Sequence, residues 1–147
     1  MSDARHPAGP RAWLDLGDDL HLGVDADGAW LIGSPSKGER HVLTSFDDYR
    51  RLLVLLKRPY ADILGLIEAY RTSQSVSSTF PMEAVVRAGL IFKTEYWASL
   101  AVRWFPSLAP EQRSKLASEL KDVALSTWAS QKTRQLALRE YRRAMLH

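Results

Sequence analysis

Residues 40–56 read Arg40-His41-Val42-Leu43-Thr44-Ser45-Phe46-Asp47-Asp48-Tyr49-Arg50-Arg51-Leu52-Leu53-Val54-Leu55-Leu56, and within them the hydrophobic pattern changes its period. Up to Leu43 the apolar residues fall in short runs, alternating where they are clearest. From Phe46 onward, Phe46, Tyr49, Leu52, Leu53 and Leu56 share one face of a helix. Ser45 stands where a helix N-cap is needed. Asp47 and Asp48 follow in the first turn, where the positive end of the helix dipole favours negative charge. The chain therefore reads as α+β, with a small antiparallel meander over residues 13–44 and a helical body over residues 45–147. It is expected to form a single domain, with residues 1–12 frayed.

Working backward from the switch, Arg40–Leu43 is a possible edge strand. Before it, 29–32, 20–24 and 13–16 read as short strands, giving three or four in all. In the middle one Leu20, Leu22 and Val24 share a face, with His21 and Gly23 opposite. Gly17-Asp18-Asp19 and Asp25-Ala26-Asp27-Gly28 supply the side-chain acceptors and positive φ that tight turns need.

Working forward, five or six helices are expected. The first ends before Pro59, and the second runs over 60–70 into the polar stretch 72–78. A third carries Met82, Val85, Val86, Gly89 and Leu90 at helical spacing and either continues or bends near Lys93-Thr94 into residues 95–105. The segment 95–105 has so wide an apolar arc that it is expected to be the central core element. Two more helices follow, over 110–128 and 130–146. Leu116, Leu120, Val123 and Ala124 face inward in the first, and Ala137, Leu138, Tyr141, Ala144 and Met145 cluster in the second. Trp97, Trp104 and Trp128 fall at core positions.

Composition narrows the chemistry. The 147 residues contain no Cys, which removes disulfides, thiol nucleophiles and Cys-based metal sites, and suits a reducing cytoplasm. No stretch has the apolar length of a signal peptide core or a membrane span, so a cytoplasmic protein without a membrane partner is expected. Charge is uneven. Residues 1–48 hold nine acidic against four basic side chains, a net of −5, and residues 49–147 hold sixteen basic against eight acidic, a net of +8. Such asymmetry points to a charged partner or to the two parts packing on each other. Arg outnumbers Lys 14 to 6, a bias typical of GC-rich bacterial genomes.

No catalytic motif appears. The turn 25–28 opens like a calcium loop, but Ala29, Trp30 and Ser36 occupy positions where a ligand, the glycine and a bidentate glutamate belong. His6, His21, His41 and His147 lack the spacing that places two imidazoles on one helical face. His21 and His41, with Asp15 or Asp25, form the one general-base or metal constellation that can be built. That pocket is the observation an enzyme would require. The serines lie in no nucleophile motif, and 73–78 has no Gly to wrap a phosphate.

By elimination the expectation is a non-catalytic protein-interaction module of bacterial immunity, inhibitor or adaptor type, without cofactor or metal. The alternative is a nucleic-acid-associated protein using the basic C-terminal helix. Trp13 and Trp30 are candidate partner-binding anchors if the sheet exposes a face. At 100° per residue Lys132, Arg139 and Arg143 fall within about 40° of one another as a basic stripe. Arg134 projects between Leu138 and Tyr141 on the apolar side, where it must clamp a carboxylate or carbonyls, or reach a groove and contact a partner. Thermal melts with and without a chelator are expected to coincide; a melt raised by one equivalent of a transition metal would contradict the metal-free reading.

Overall fold

The computed structural model describes residues 9–146. Its sheet is an antiparallel meander of β1 (Leu14–Asp15), β2 (His21–Val24), β3 (Trp30–Ser34) and β4 (Glu39–Val42), in the order β1-β2-β3-β4. The first hairpin closes on Asp18 and Asp19, both in the left-handed region at φ 54° and 59°, as a two-residue primed turn requires. The Leu20 amide donates to Gly17 O at 2.9 Å across it. In the second turn Asp25 Oδ1 accepts from the amides of Asp27 at 2.8 Å and Ala29 at 3.0 Å, so this carboxylate shapes a hairpin.

Register decides which face is which. Leu22 pairs with Ile32 and Val24 with Trp30, and these four line the side toward the helices. His21, Gly23, Leu31 and Gly33 take the other side. There the Trp13 ring lies across the backbone of the two glycines: a Cβ at Gly33 would come within 2.9 Å of it, and one at Gly23 would strike Pro10.

The helical body comprises α1 (Phe46–Arg50), α2 (Tyr60–Ser73), α3 (Met82–Ile91), α4 (Glu95–Trp104), α5 (Pro110–Lys115), α6 (Ala117–Ala124) and α7 (Gln131–Met145). The α+β reading holds, and the helix count among the described residues rises to seven because the segment expected as one helix over 110–128 divides. After α1 the chain tightens into a 3-10 turn over Leu53–Lys57, which buries Leu53, Leu55 and Leu56, three of five consecutive residues. The segment expected as one helix over 110–128 breaks at Leu116 (φ −105°, ψ 7°) and ends at Ala124. Beyond it the Ser126 hydroxyl donates to Val123 O at 2.8 Å, shaping the connection to α7. Met145, expected among the inward residues of α7, is 60% exposed, since it lies in the last turn beyond the packed face.

α4 is central, as its apolar arc predicts, and packs on α3, α7 and the 53–57 turn. Its start is pinned twice. Thr94 Oγ1 accepts from the Trp97 amide at 3.4 Å. Glu95 reaches across to α7, where its carboxylate accepts from the Ser130 amide at 2.7 Å and from Thr133 Oγ1 at 3.0 Å. Two bonds tie the body to residues flanking β1, and a third, within the body, holds the arginine that makes one of them. Tyr70 OH donates to Ala12 O at 2.8 Å, Arg58 Nη1 donates to Leu16 O at 2.8 Å, and Trp104 Nε1 donates to Arg58 O at 2.9 Å.

α3 and α4 approach closely because Gly89 has no side chain; a Cβ there would lie 2.8 Å from both Ala101 Cβ and Leu56 Cδ1. Gly65, on the exposed side of α2, faces nothing within 4 Å. Two glycine-to-alanine changes should therefore act with opposite sign in denaturant titrations. Gly89→Ala is expected to lower stability by about 1–3 kcal/mol through overpacking. Gly65→Ala should raise it by about 0.5–1 kcal/mol through helix propensity.

Candidate binding face

The segment that follows the period switch carries three cations, Arg50 and Arg51 at the end of α1 and Lys57 at the end of the 3-10 turn. α1 starts where it does because Asp48 Oδ2 accepts from the amides of Ser45 at 2.9 Å and Thr44 at 3.1 Å and from both their hydroxyls. Those amide bonds, above all the one from Ser45, hold the Asp48 carboxyl at about 2 against an ordinary value of 3.8.

The packing of α3 and α4 brings aromatic rings from some 40 residues downstream against these cations. The Arg50 guanidinium stands 5.2 Å over the Phe92 ring. Lys57 Nζ stands 6.0 Å from the rings of both Tyr96 and Trp97. The last two meet edge to face at 4.9 Å and 78°. Between them opens a cleft of about 640 Å³ lined by Asp47, Arg50, Arg51, Leu53, Val54, Lys57, Phe92 and Trp97. Tyr96 beside it is 54% exposed, an unusual position for a large ring on a pinned helix start. Each arginine has a carboxylate near it, beyond hydrogen-bond reach: Asp47 Oδ1 at 3.6 Å from Arg50 and Glu39 Oε2 at 3.9 Å from Arg51.

Arg51 and Val54 also line a second cleft of about 430 Å³ at the end of the sheet, with Asp19, Ser34, Glu39 and His41. Here Asp19 accepts from the hydroxyls of Ser34 and Ser36, which lower its pKa, so the first hairpin turn is tied to the β3–β4 connection.

The anchors expected from sequence are placed differently. Trp30 is only 6% exposed. It shares the inner sheet face with Ile32, its ring packs on Phe80 at 5.2 Å and Tyr70 at 6.1 Å, and its Nε1 donates to Thr79 O at 3.1 Å. That corrects its reading as an exposed anchor. Trp13 is half-buried over the outer-face glycines. Lys132, Arg139 and Arg143 are exposed as a stripe, but Glu140, buried between the two arginines, lies 3.5 Å from Arg143 and 4.0 Å from Arg139. Arg134 is half-buried, and its buried Nε has no acceptor among the described residues, so no clamp forms on that nitrogen.

His21 and His41 do not converge. His21 pairs with Gly33 and His41 with Ile32, one position apart, which sends the imidazoles to opposite faces of the sheet. His6 and His147 lie outside the described residues. Among the described residues no three His, Asp or Glu side chains gather as a metal site. No described helix is long and apolar enough to cross a membrane.

No protein-family model, curated protein or solved structure matches the chain.

Sequence reasoning overlooked the cation–aromatic face. Tyr96 adjoins a core tryptophan and reads as part of a buried arc, and the Lys57 contacts depend on tertiary packing. The signal available was the local density of Arg50, Arg51 and Lys57 beside an apolar run.

The bonds that Asp48 accepts are strongest while its carboxyl is ionised. Because its pKa is lowered on folding, its stabilisation is complete above 3.8 and disappears as pH falls through about 2. Asp48→Asn should therefore melt below the native chain at neutral pH, with the gap closing between pH 4 and about 2. A gap that persists at the acid end would assign the loss to something other than charge.

Proposed function

We propose that the chain is a non-catalytic protein-interaction module that takes an acidic segment of a partner protein on the face of Arg50, Arg51, Lys57, Phe92, Tyr96 and Trp97. The observation that carries this reading is the half-exposed Tyr96 ring near Lys57, on a helix start pinned by Thr94 and Glu95 and next to Trp97, which lines a cleft with Arg50 and Arg51. Tyr, Trp and Arg on rigid elements are the residue types that dominate binding energy at protein interfaces. Arginine forks pair with carboxylates bidentately. Immunity, inhibitor and adaptor roles all ask for this, binding without chemistry.

A protein is favoured over nucleic acid for two reasons. Asp47 and Glu39 stand within 4 Å of the two arginines, where a continuous phosphate chain meets repulsion while a peptide can place its carboxylates selectively. Base stacking also needs open ring faces, and Arg50 covers Phe92 while Trp97 is half-buried. The basic stripe of α7 supports the nucleic-acid alternative less than its sequence suggests, because buried Glu140 offsets part of its charge.

Tryptophan fluorescence titrations compare an acidic, aromatic-containing peptide with an oligonucleotide of equal charge. The peptide is expected to bind, more weakly as salt rises, and Tyr96→Ala should cost about 2 kcal/mol. Arg51→Glu with Lys57→Glu should lower affinity at least about tenfold. Tighter oligonucleotide binding would overturn the protein reading, and peptide binding indifferent to all three changes would overturn the face.

A further inference from the structure

The first turn of α7, Gln131-Lys132-Thr133, has no acidic side chain of its own and carries a cation instead. A helix start needs acceptors for its first amides and is stabilised by negative charge. Ser130 supplies one acceptor, its Oγ taking the Thr133 amide at 3.1 Å. The charge comes from another element. Glu95, in the first turn of α4, spends both carboxylate oxygens on α7: Oε1 accepts from the Ser130 amide at 2.7 Å and Oε2 from Thr133 Oγ1 at 3.0 Å. Thr133 is only 3% exposed, so water does not readily replace that bond. One carboxylate thus stands at two helix starts, and the residue after it is Tyr96.

We infer that Glu95 is a positioning residue through which α7 controls the binding face. The rings of the face are held in place while the first turn of α7 is formed, and a partner on the face stabilises that turn in return. The route is short. Tyr96 and Trp97 follow Glu95 directly, and the Trp97 and Ala98 amides donate to Thr94 at 3.4 and 3.0 Å, so a shift of Glu95 moves the backbone that carries both rings. Thr133 lines neither cleft, and its bonded route to the face is this carboxylate. Control of binding presupposes the face proposed above; the link between the two helices does not.

Hydrogen exchange on the full chain, read residue by residue by NMR, tests the link without a ligand. Thr133→Val keeps the side-chain shape and removes the hydroxyl. Leu136→Ala, at a half-buried position of the same helix, lowers stability without touching the link. Thr133→Val should speed exchange of the Trp97 and Ala98 amides about three- to tenfold, and should add little once Glu95 is changed to Gln. Exchange there that Thr133→Val leaves unchanged, or that Leu136→Ala raises equally, would overturn the inference. The acidic, aromatic-containing peptide then reports on control. Thr133→Val should weaken its binding about three- to tenfold in the native background and have no further effect in Tyr96→Ala, and the bound peptide should slow exchange of the Thr133 and Arg134 amides. A peptide that binds the native chain and Thr133→Val equally would overturn the control and leave the face standing. A peptide that does not bind the native chain would overturn the face and the control with it, and the exchange rates would still decide the link.

Discussion

The burial of Trp30 is the contact on which the arrangement turns. The indole projects from β3 between sheet and helices, meets Phe80 nearly edge-on, and donates its ring N–H to the Thr79 carbonyl just ahead of α3. A side chain this large buried with its N–H satisfied contributes apolar burial without stranding a donor. It also fixes spacing. With Trp30 seated, Tyr70 of α2 reaches both the Val24 amide and the Ala12 carbonyl, and the sheet is held to the body at its second and third strands and just ahead of the first. From α3 the close approach at Gly89 sets α4, and α4 sets the position of Tyr96 and Trp97.

The face built at the end of this sequence of contacts mixes rigid and adjustable parts. Its rings are fixed by the helix start, through Thr94 and the carboxylate of Glu95. Its cations sit on long exposed side chains, with carboxylates near but not bonded to the arginines. Such ion pairs contribute little to stability, so exchanging them for a partner's carboxylates costs little. Rigid aromatic surface with exchangeable charge around it is a chemistry suited to recognition.

Much of the fold was legible because local pattern and tertiary need agree. The period change at Ser45 separates strands from helices, and the Asp- and Gly-rich turns stand where the hairpins close. Where they diverge, tertiary packing wins. Leu53, Leu55 and Leu56 cannot all face inward on a regular helix, and the chain tightens to a 3-10 turn that buries them. The site was far less legible. Trp13 and Trp30 looked alike as tryptophans on a small sheet, and only the register assigns Trp30 to the inner face. Lys57 and Tyr96 are ordinary residues in sequence, and their meeting follows from how α3 and α4 pack. The stripe on α7 was read correctly as exposed, while Glu140, a single acidic residue among arginines, gave no sign that it would be buried there.

The outer face of the sheet has its own economy. Glycines at 23 and 33 leave a strip of backbone bare of side chains, and Trp13 is the ring laid over it, with Pro10 alongside. Leu31 lies buried on the same face. Trimming of the chain by a protease as far as Trp13 would strip this cover while leaving every strand and helix in place. The product would keep its secondary structure and gain a flat, greasy strip, so preparations nicked near the N-terminus should lose colloidal stability in storage well before they lose their fold.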